Sequence, residues 1–310
     1  MIELYLDHEY WVAAVQLSLA MLGMGAGLRT SDFREVVQHP KAVSLGLMMQ
    51  LLVVPLIAFG FITFTQLSAG VVIGFALIAS IPGGTVSNIF TLLARGSVPL
   101  SISITTLTSF ACLITTPLIL DFLIADFMPD NFSMPAMQIA IEIGFYVLIP
   151  LLLGMRFLAQ YPRYAENFST FCVRGSLLGI AIIVLGSLGA GRLDPSNASF
   201  TDLVWLSLFI VSLTLAGIFI TKIFGLSRAD NSAIEMEVVV RNINLGFLIK
   251  VSLFPAVAGQ VNTTADLALM SLLIYGGWQL LMGFGLIMWR RRDKPQTFWY
   301  KHDCSVSSCK

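Results

Sequence analysis

Polar and charged side chains lie inside long apolar stretches of this sequence, where such groups are costly. Glu237 falls in the apolar segment 231–255, and a carboxylate at that depth in a membrane costs at least about 3 kcal/mol unless it has a partner. Ser101 and Thr105 are four residues apart, so both face the same side of a helix. Carboxylate and hydroxyl oxygens suit a hard, dehydrated cation, although the hydroxyls could instead form interhelical hydrogen bonds.

Arg241 offers Glu237 a second kind of partner. It follows Glu237 by four residues, which is one helical turn and allows an intrahelical ion pair. A cation site and this ion pair are compatible, and both remain open. Lys250 lies later in the same segment, and its long side chain is expected to snorkel outward.

Two of the apolar segments are interrupted near their centres. The interruption at 82–88 reads Pro-Gly-Gly-Thr-Val-Ser-Asn, and the one at 241–246 reads Arg-Asn-Ile-Asn-Leu-Gly. Proline and glycine are poor residues for a helix interior. An unwound backbone at membrane depth is tolerated only where it is buried in protein or lines a water-filled cavity. Both segments are therefore predicted to be discontinuous helices.

The elements that position these residues are predicted to be membrane-spanning helices. The chain is 56% hydrophobic and 12% charged, whereas soluble proteins contain about 25% charged residues, and its mean hydropathy is +0.84. The apolar runs are too long, and too little alternating, for the strands of a membrane barrel. Because a span needs about 20 apolar residues, nine spans are predicted, at 10–28, 43–64, 68–95, 98–125, 135–158, 173–190, 202–222, 231–255 and 264–290.

Lys and Arg residues give these spans an orientation. Of the 18 in the chain, Arg241 and Lys250 lie inside spans and only Arg192 lies in a loop on the N-terminal side; the others lie in or beside the opposite loops and in the C-terminal tail. Cytoplasmic loops are enriched in Lys and Arg. The N-terminus is therefore predicted to be outside the cell membrane and the C-terminus cytoplasmic, which requires an odd number of spans.

The two interruptions occupy opposed positions in this topology. The third predicted span runs from outside to inside and the eighth runs back, so spans 1–4 and 5–9 are predicted to be inverted repeats, the first lacking its opening helix. Discontinuous helices at matching positions of inverted repeats are typical of secondary transporters, with the binding site at the breaks. The predicted fold class is an all-α membrane protein.

Several other function classes are disfavoured by the sequence. The formal net charge is zero, so no nucleic-acid partner is expected. The four cysteines show no metal-binding or disulfide-like spacing; they are Cys112, Cys172, Cys304 and Cys309. The sequence has no phosphate-binding loop, HExxH, GxSxG or dinucleotide fingerprint. Neither an enzyme nor ATP-driven transport within this chain is predicted.

Several ordered motifs make the sequence similar to a known family. They are Met24-Gly25 to Asp32-Phe33, His39-Pro40-Lys41, Gln50 with Pro55, the run 82–88 continuing to Ala94-Arg95-Gly96 and Leu100-Ser101, and Ile234 to Asn242. On these residues the chain resembles the bile acid:sodium symporter family over nearly its whole length. The resemblance implies a core domain, in which two unwound helices cross, and a panel domain, in the nine-helix form of the animal members rather than the ten-helix form of bacterial representatives.

This resemblance also implies a division of the chain. The predicted parts are a panel helix and first core helix (1–64), a core segment with the first broken helix (65–130), panel helices (131–200), a core segment with the second broken helix (201–290) and a cytoplasmic tail (291–310).

Ion and substrate sites are implied by matching this chain to the family's motifs. The first sodium site would consist of Ser87, Asn88, Ser101, Thr105 and Glu237. The second would use Gln50, Glu237 and backbone carbonyls near Val238 and Val240, and in the family a glutamine usually completes it where this chain has Arg241. Substrate contacts at the crossing would be Thr85, Asn242 and Asn244.

Arg241 changes what the second site can bind, because a guanidinium has only donors and cannot ligate sodium. Its charge could disturb even the first ion, since both implied sites share Glu237. Alternatively it could stand in for the second ion and hold Glu237 in place. The second outcome is the prediction adopted, because a buried pair compensates a cost that each lone charge would impose. Sodium is thus predicted as the coupling ion, with one ion bound rather than two.

The predicted function is sodium-coupled import of an organic anion by alternating access. Bile acids, sulfated steroids, pantoate-like acids and keto acids all remain open as substrates. The predicted partners are this anion and the lipid bilayer, with the chain a monomer or a weak homodimer. The alternatives are proton-coupled or ion-independent transport, including export, and a membrane receptor or scaffold with a transporter fold.

Overall fold

The computed structural model describes residues 2–33, 38–128, 132–194, 198–255 and 262–292. The tail cysteines Cys304 and Cys309 lie outside the described residues. Within the described ranges no β-strand occurs, and the helices, numbered in chain order, are α1 (Ile2–Gly25), α2 (Pro40–Phe64), α3 (Ala69–Ser80), α4 (Thr85–Leu93), α5 (Val98–Ile124), α6 (Ala136–Gln160), α7 (Pro162–Gly189), α8 (Phe200–Ile223), α9 (Arg228–Val239), α10 (Ile243–Leu253) and α11 (Thr263–Arg292).

The helices have the lengths and surfaces of membrane-spanning elements. Among the described residues, six helices are long and apolar enough to cross a membrane, namely α2, α5 with its extension to Phe127, α6, α7, α8 and α11. Large apolar side chains on them, such as Phe64, Phe200 and Ile223, are exposed. The predicted all-helical membrane fold is confirmed, while the count of nine spans and the inverted repeats stay predictions.

Two helices begin well before the predicted spans. Helix α1 begins at Ile2 rather than near residue 10, and α7 begins at Pro162 rather than near residue 173. The added turns are polar, so hydropathy does not detect them. A local signal favours the earlier start of α7, because a proline opens that helix.

Helix α2 contains a π-helical turn that positions Gln50. The turn spans Met49–Val53, and Pro55 follows it after one intervening residue. A proline has no backbone N–H and its ring clashes with the preceding helical turn, and a π-turn is one way for a helix to accommodate such a disturbance. Gln50 is 1% exposed within this turn, so its amide lies in the protein interior.

The two predicted discontinuous helices are present as the pairs α3–α4 and α9–α10. The non-helical residues between them are 81–84 and 240–242, and the two breaks pair with each other. The N–H of Gly84 donates to the carbonyl of Val240 at 2.9 Å, and the N–H of Asn242 donates to that of Pro82 at 2.9 Å. Each unwound segment thereby satisfies backbone groups of the other in a place where lipid or apolar side chains could not.

The crossing of the two breaks requires glycine at its closest point. A Cβ atom on Gly83 would lie 2.1 Å from the Glu237 carboxylate oxygen Oε2, and one on Gly84 would lie 2.8 Å from the carbonyl oxygen of Arg241. Real Cβ atoms essentially never come this close to another atom. The two unwound segments can therefore approach each other here only because neither glycine has a side chain.

Both breaks are shorter than predicted. Residues 85–88 and 243–246 were expected to be unwound, but they form the first turns of α4 and α10. Asn242 favours the early start of α10, because its side chain accepts a hydrogen bond from the N–H of Leu245 at 3.4 Å as an N-cap. The polar residues of these motifs therefore lie at helix N-termini.

The helices pack in two sets. Helix α1 packs along α6 and α7, whereas α11 packs along α3, α8 and both half-helices of the second pair. In the second set the rings of Phe75 and Phe209 stack with centroids 4.5 Å apart, and the Tyr275 hydroxyl donates to the carbonyl of Val239 at 2.8 Å. The division into panel and core domains stays a prediction.

Lys250 does not snorkel outward, so this expectation is wrong. The side chain is fully buried, and its Nζ lies 3.5 Å from Oε1 of Glu9 in α1. Packing of α1 against α10 covers Lys250, and the nearby carboxylate gives the ammonium group a partner within the protein.

Candidate functional site

Glu237 is the centre of a polar site to which three neighbouring helices contribute donors. The side chain is fully buried near the end of α9. Its Oε1 lies 2.5 Å from Oγ of Ser87, 2.6 Å from Oγ of Ser101 and 2.7 Å from Oγ1 of Thr105. Its Oε2 accepts a hydrogen bond from Nε2 of Gln50 at 2.9 Å. The structure thus brings together four of the five predicted first-site residues.

The chemistry of this donor set fits a small, hard cation. The partners of the Glu237 carboxylate are neutral hydroxyl and amide groups, so they leave its charge unbalanced at contact distance. Asn88, the fifth predicted residue, has a buried Oδ1 without a hydrogen-bond partner. Oxygen ligands around one carboxylate suit such a cation, and the described residues contain no cluster of three or more His, Cys, Asp or Glu side chains placed to hold a metal ion.

Gln50 connects Glu237 to both breaks. While its Nε2 donates to Glu237, its Oε1 accepts from the N–H of Gly83 at 2.8 Å and from Nη1 of Arg241 at 3.3 Å. The amide can do this because it offers two donors and one acceptor oxygen with two lone pairs. Gln50 therefore holds the carboxylate, the first break and the second break in one hydrogen-bonded arrangement.

Arg241 places its guanidinium at the end of half-helix α3. The residue is 2% exposed. Its Nε donates to the carbonyl of Ile78 at 3.3 Å, and its Nη2 donates to that of Ala79 at 3.4 Å and to that of Ile81. The last carbonyls of a helix lack intrahelical partners and carry its partial negative charge. The guanidinium satisfies these carbonyls as a fixed cation.

The predicted ion pair between Glu237 and Arg241 is wrong. Both residues belong to the described part of the chain, and no ion pair joins them there. Helix α9 ends at Val239, so the helical spacing that would place Arg241 one turn beyond Glu237 does not hold. Gln50 lies between the two charges and bonds to both.

Two residues of the predicted second site, Gln50 and Glu237, are connected to this guanidinium. Gln50, Glu237 and Arg241 form a continuous hydrogen-bonded chain. Val238 and Val240 have fully buried side chains, and the Val240 carbonyl accepts from Gly84. The carbonyl end of α3 attracts a positive charge, and the guanidinium of Arg241 supplies one.

A cavity of about 240 Å³ lies beside the crossing, between the half-helices and helices α1, α7 and α11. Its apolar wall includes Ala20, Val173, Leu177, Ile180, Phe247 and Leu280. Its polar wall includes Thr85, Ser176, Asn242, Asn244 and Gln279. Among the described residues that line it, Arg241 is the one with a charged side chain. A mostly apolar cavity with a few convergent polar groups is typical of a small-molecule site.

The three predicted substrate residues all line this cavity. Thr85 is the first residue of α4, whereas Asn242 and Asn244 flank the start of α10. The N-termini of both half-helices therefore lie at the cavity, and a helix N-terminus carries a partial positive charge that favours anions. The combination of two such ends with an apolar wall suits an organic anion.

Gln279 is a residue of this region that sequence reasoning missed. It lines the cavity, and its Oε1 accepts a hydrogen bond from the backbone N–H of Arg241 at 2.8 Å. The sequence does contain an indication of this residue, because Gln279 is a single amide side chain within an apolar predicted span, as Gln50 is.

Comparison with known proteins identifies relatives along most of the chain. The sequence profile of the Sodium Bile acid symporter family matches residues 14–192. The chain is 28% identical to the uncharacterized sodium-dependent transporter YocS of Bacillus subtilis, over 76% of this chain and 73% of that protein. It is 26% identical to the sodium-dependent organic anion transporter of Bos taurus, over 96% of this chain and 77% of that protein.

The plant relatives are longer than the part that this chain matches. The probable chloroplastic sodium/metabolite cotransporter BASS2 of Oryza sativa is 25% identical over 91% of this chain, and the match covers 64% of its length. This chain thus spans less than two thirds of that relative.

Proposed function

Because the chain belongs to the Sodium Bile acid symporter family, we propose that it is a secondary active transporter that couples the movement of an organic anion to sodium. The relatives named above are sodium-dependent transporters or cotransporters, and the family consists of transporters rather than enzymes. The proposal names sodium as the coupling ion, an organic anion as the substrate class and import as the direction of transport.

The observation that carries this proposal is the convergence of three hydroxyls on one oxygen of Glu237, directly behind the crossing. In this proposal a sodium ion binds to Glu237 and to the oxygens of Ser87, Ser101, Thr105 and Asn88. The sodium charge offsets a buried negative charge that neutral donors leave unbalanced.

Coupling follows from the shared position of the ion site and the breaks. Gly83 lies against the Glu237 carboxylate, and Gly84 and Asn242 line the cavity on the other side. An ion that orders this crossing also fixes the polar wall of the substrate cavity. Coupling then requires that the ion bind one conformation more tightly than the other.

The substrate in this proposal is an anion with an apolar body. Its charged group would lie near Thr85, Asn242 and Asn244 at the helix N-termini, and its body would contact the apolar residues of α1 and α7. Bile acids, sulfated steroids and small apolar carboxylic acids all have this chemistry.

The number of sodium ions in this proposal is one. The guanidinium of Arg241 supplies a permanent positive charge at the carbonyl end of α3, where a second cation would otherwise be needed. The chain therefore moves one sodium ion per anion, and it concentrates its substrate less than a two-sodium transporter would, because each coupled ion adds its own electrochemical gradient.

The proposed architecture places nine spans in the cell membrane. Six are single long helices, two are the pairs α3–α4 and α9–α10, and one is α1. The N-terminus is outside and the C-terminus cytoplasmic. Helices α1, α6 and α7 form the panel and the others the core, in a monomer or weak homodimer that is surrounded by lipid and binds no nucleic acid.

A thermal-stability screen of the purified protein tests the proposal. A ligand that binds only the folded state raises stability by about 2.7 kcal/mol at one hundred times its Kd. Sodium chloride is expected to raise Tm above the value in potassium chloride at equal ionic strength. An organic anion that binds is expected to raise Tm further only in sodium. In proteoliposomes its uptake is expected to require an inward sodium gradient.

Three outcomes would overturn the proposal. Equal Tm in sodium and potassium would remove sodium as the coupling ion. Uptake that follows a proton gradient but not a sodium gradient would replace it with proton-coupled transport. Anion binding without any flux would favour a receptor with a transporter fold.

A further inference from the structure

A second set of buried charges lies away from the sodium and substrate sites. It is called the seam cluster here and consists of Glu9, Arg192, Lys250 and Asp266. Glu9 and Lys250 are fully buried and Asp266 is 4% exposed, and the Arg192 side chain is 11% exposed. The four charges sum to zero, so the cluster is balanced within itself.

The contacts of the seam cluster cross between the two sets of helices twice. Glu9 belongs to α1 and Arg192 follows α7, whereas Lys250 belongs to α10 and Asp266 to the first turn of α11. Nζ of Lys250 lies 3.5 Å from Oε1 of Glu9, and Nε of Arg192 lies 2.6 Å from Oδ1 of Asp266. A third contact, from Nη1 of Arg192 to Oε2 of Glu9 at 2.8 Å, lies within the first set.

The seam cluster lies to one side of the substrate cavity. At a rise of about 1.5 Å per residue, Lys250 is about 10 Å along α10 from the cavity residue Ile243, and Glu9 is about 16 Å along α1 from the cavity residue Ala20. Both displacements are toward the face that carries the N-terminus. The cluster therefore lies between the cavity and that face.

A carboxylate with hydroxyl partners strengthens the same seam. Glu142 of α6 accepts hydrogen bonds through Oε1 from the Ser252 hydroxyl of α10 at 2.8 Å and from the Tyr10 hydroxyl of α1 at 3.1 Å. The C-terminal end of α10 is thus bonded to α6 through Ser252 and to α1 through Lys250.

We propose that the seam cluster is a latch that closes the transport path on the N-terminal face. It holds α1 and α7 against α10 and α11, and its charges separate and become hydrated when the path opens there. The inference rests on the proposed function, because a latch has this role only if the two sets of helices move during transport.

Charged pairs are suited to a seam that opens and closes. Separating an apolar seam exposes surface to water at a cost that grows with its area. Buried ions have lost hydration and regain it when the seam opens, so a paired closed state and a hydrated open state differ less in free energy. Glu9 Oε1 and Lys250 Nζ form an ion pair but make no hydrogen bond in the closed seam, so opening the seam also gives these two atoms hydrogen bonds to water.

Cysteine accessibility tests the latch without any transported substrate. Ile180→Cys is placed in a variant lacking the native cysteines, because Ile180 lines the cavity on α7. A membrane-impermeant thiol reagent is applied separately to intact cells and to inside-out vesicles. Glu9→Gln leaves Lys250 and Arg192 without their shared carboxylate, and it is expected to raise the labelling rate from the outer face at least about tenfold.

Opposite changes at the same seam distinguish a latch from a static ion network. The double variant Glu9→Leu/Lys250→Leu keeps the Arg192–Asp266 contact, loses the Arg192–Glu9 contact and replaces the Lys250–Glu9 pair by apolar packing. It is expected to label more slowly than its parent from the outer face. Asp266→Asn breaks the second crossing contact and is expected to label faster, which provides a second test if Glu9→Gln does not fold.

The matched control is a buried ion pair that does not cross the seam. Arg290 of α11 bonds to Glu235 of α9, so Arg290→Met is expected to lower Tm without changing the labelling rate. Unchanged labelling of folded Glu9→Gln and Asp266→Asn from both faces would overturn the latch, and so would an equal rise in Arg290→Met. Because labelling needs neither sodium nor substrate, loss of the sodium proposal would leave this test interpretable.

Discussion

At the scale of single residues, the site is defined by how a buried negative charge is surrounded. Oε1 of Glu237 has three hydroxyl oxygens within 2.7 Å, and Oε2 has the amide of Gln50. These groups can donate to the carboxylate, and the hydroxyls can turn their lone pairs to a cation instead. A site with this freedom can exist with and without its ion, as a transporter requires.

Neutralising Glu237 is expected to abolish the sodium response. Glu237→Gln keeps the size of the side chain but removes the charge that would attract the ion. Tm is expected to become independent of sodium, measured against potassium at equal ionic strength. Glu235→Gln is the matched control, since Glu235 is also fully buried on α9 but bonds to Arg290. A sodium response that persists in Glu237→Gln would contradict the proposed site, whatever Glu235→Gln does.

Replacing Arg241 by glutamine is expected to change the number of coupled ions. Without its fixed charge, the carbonyls of Ile78, Ala79 and Ile81 lose their donor, and a second cation can bind there. Arg241→Gln is therefore expected to make the sodium dependence steeper, with a Hill coefficient rising from about one toward two and weaker overall affinity. Hill analysis of sodium titrations and the sodium-to-substrate flux ratio measure this.

Arg241→Lys is the companion variant, because it keeps a charge but not the planar fork that reaches several carbonyls. It is expected to keep a Hill coefficient near one with a lower Tm. Two sodium ions bound to the unaltered protein would show that Arg241 does not replace an ion.

At the scale of elements, the two discontinuous helices stabilise each other. Their breaks exchange backbone hydrogen bonds at Gly84–Val240 and Asn242–Pro82, so neither break is satisfied without the other. The ends of α3 and the start of α4 and α10 then present opposite partial charges on the two sides of one crossing. The end of α3 therefore favours a cation, and the N-termini of α4 and α10 favour an anion, on opposite sides of the same crossing.

Adding a single methyl group at this crossing is expected to disrupt the ion site. A Cβ on Gly83 would lie 2.1 Å from Oε2 of Glu237, so Gly83→Ala must displace the carboxylate or the break. Loss of sodium-dependent stabilisation is expected. Gly60→Ala in α2 is the control, because its Cβ would meet no atom within 4 Å, and alanine there is expected to leave the sodium response intact and to stabilise the helix by about 0.5–1 kcal/mol. Equal behaviour of the two variants would argue against close packing at Gly83.

At the scale of the whole molecule, the distribution of positive charge predicts the orientation. Arg192 is the only cationic side chain predicted in a loop on the N-terminal side, and it lies in the seam cluster rather than free in solvent. The remaining loop cations are predicted on the opposite side, and that side is therefore predicted to be cytoplasmic.

Reporters fused at the two termini are expected to report opposite sides of the membrane. Alkaline phosphatase activity is expected at the N-terminus and green fluorescence at the C-terminus, because an odd number of spans separates them. Moving each reporter to the other terminus is the control for reporter bias. Both termini on the cytoplasmic side would show that a span has been miscounted.

Local properties of the chain are sufficient to predict the class of the molecule and most members of the candidate site. Long apolar runs can satisfy their backbone in lipid only as helices, so composition is sufficient to predict the all-helical membrane fold. Ser101 and Thr105 share a helix face by spacing alone, and Glu237 was conspicuous because charge is costly inside an apolar segment. Such inferences depend on local properties of the chain.

How these residues meet depends on the tertiary packing of the helices. The direction of Arg241 depends on where α9 ends, which broke the predicted pairing with Glu237 and turned the guanidinium to the end of α3. The dual role of Gln50 depends on a π-turn and on two breaks that are far apart in sequence. The burial of Lys250 against Glu9 depends on α1 packing over α10. Each is a contact between distant segments, and hydropathy and spacing carry no information about which distant segments will become neighbours.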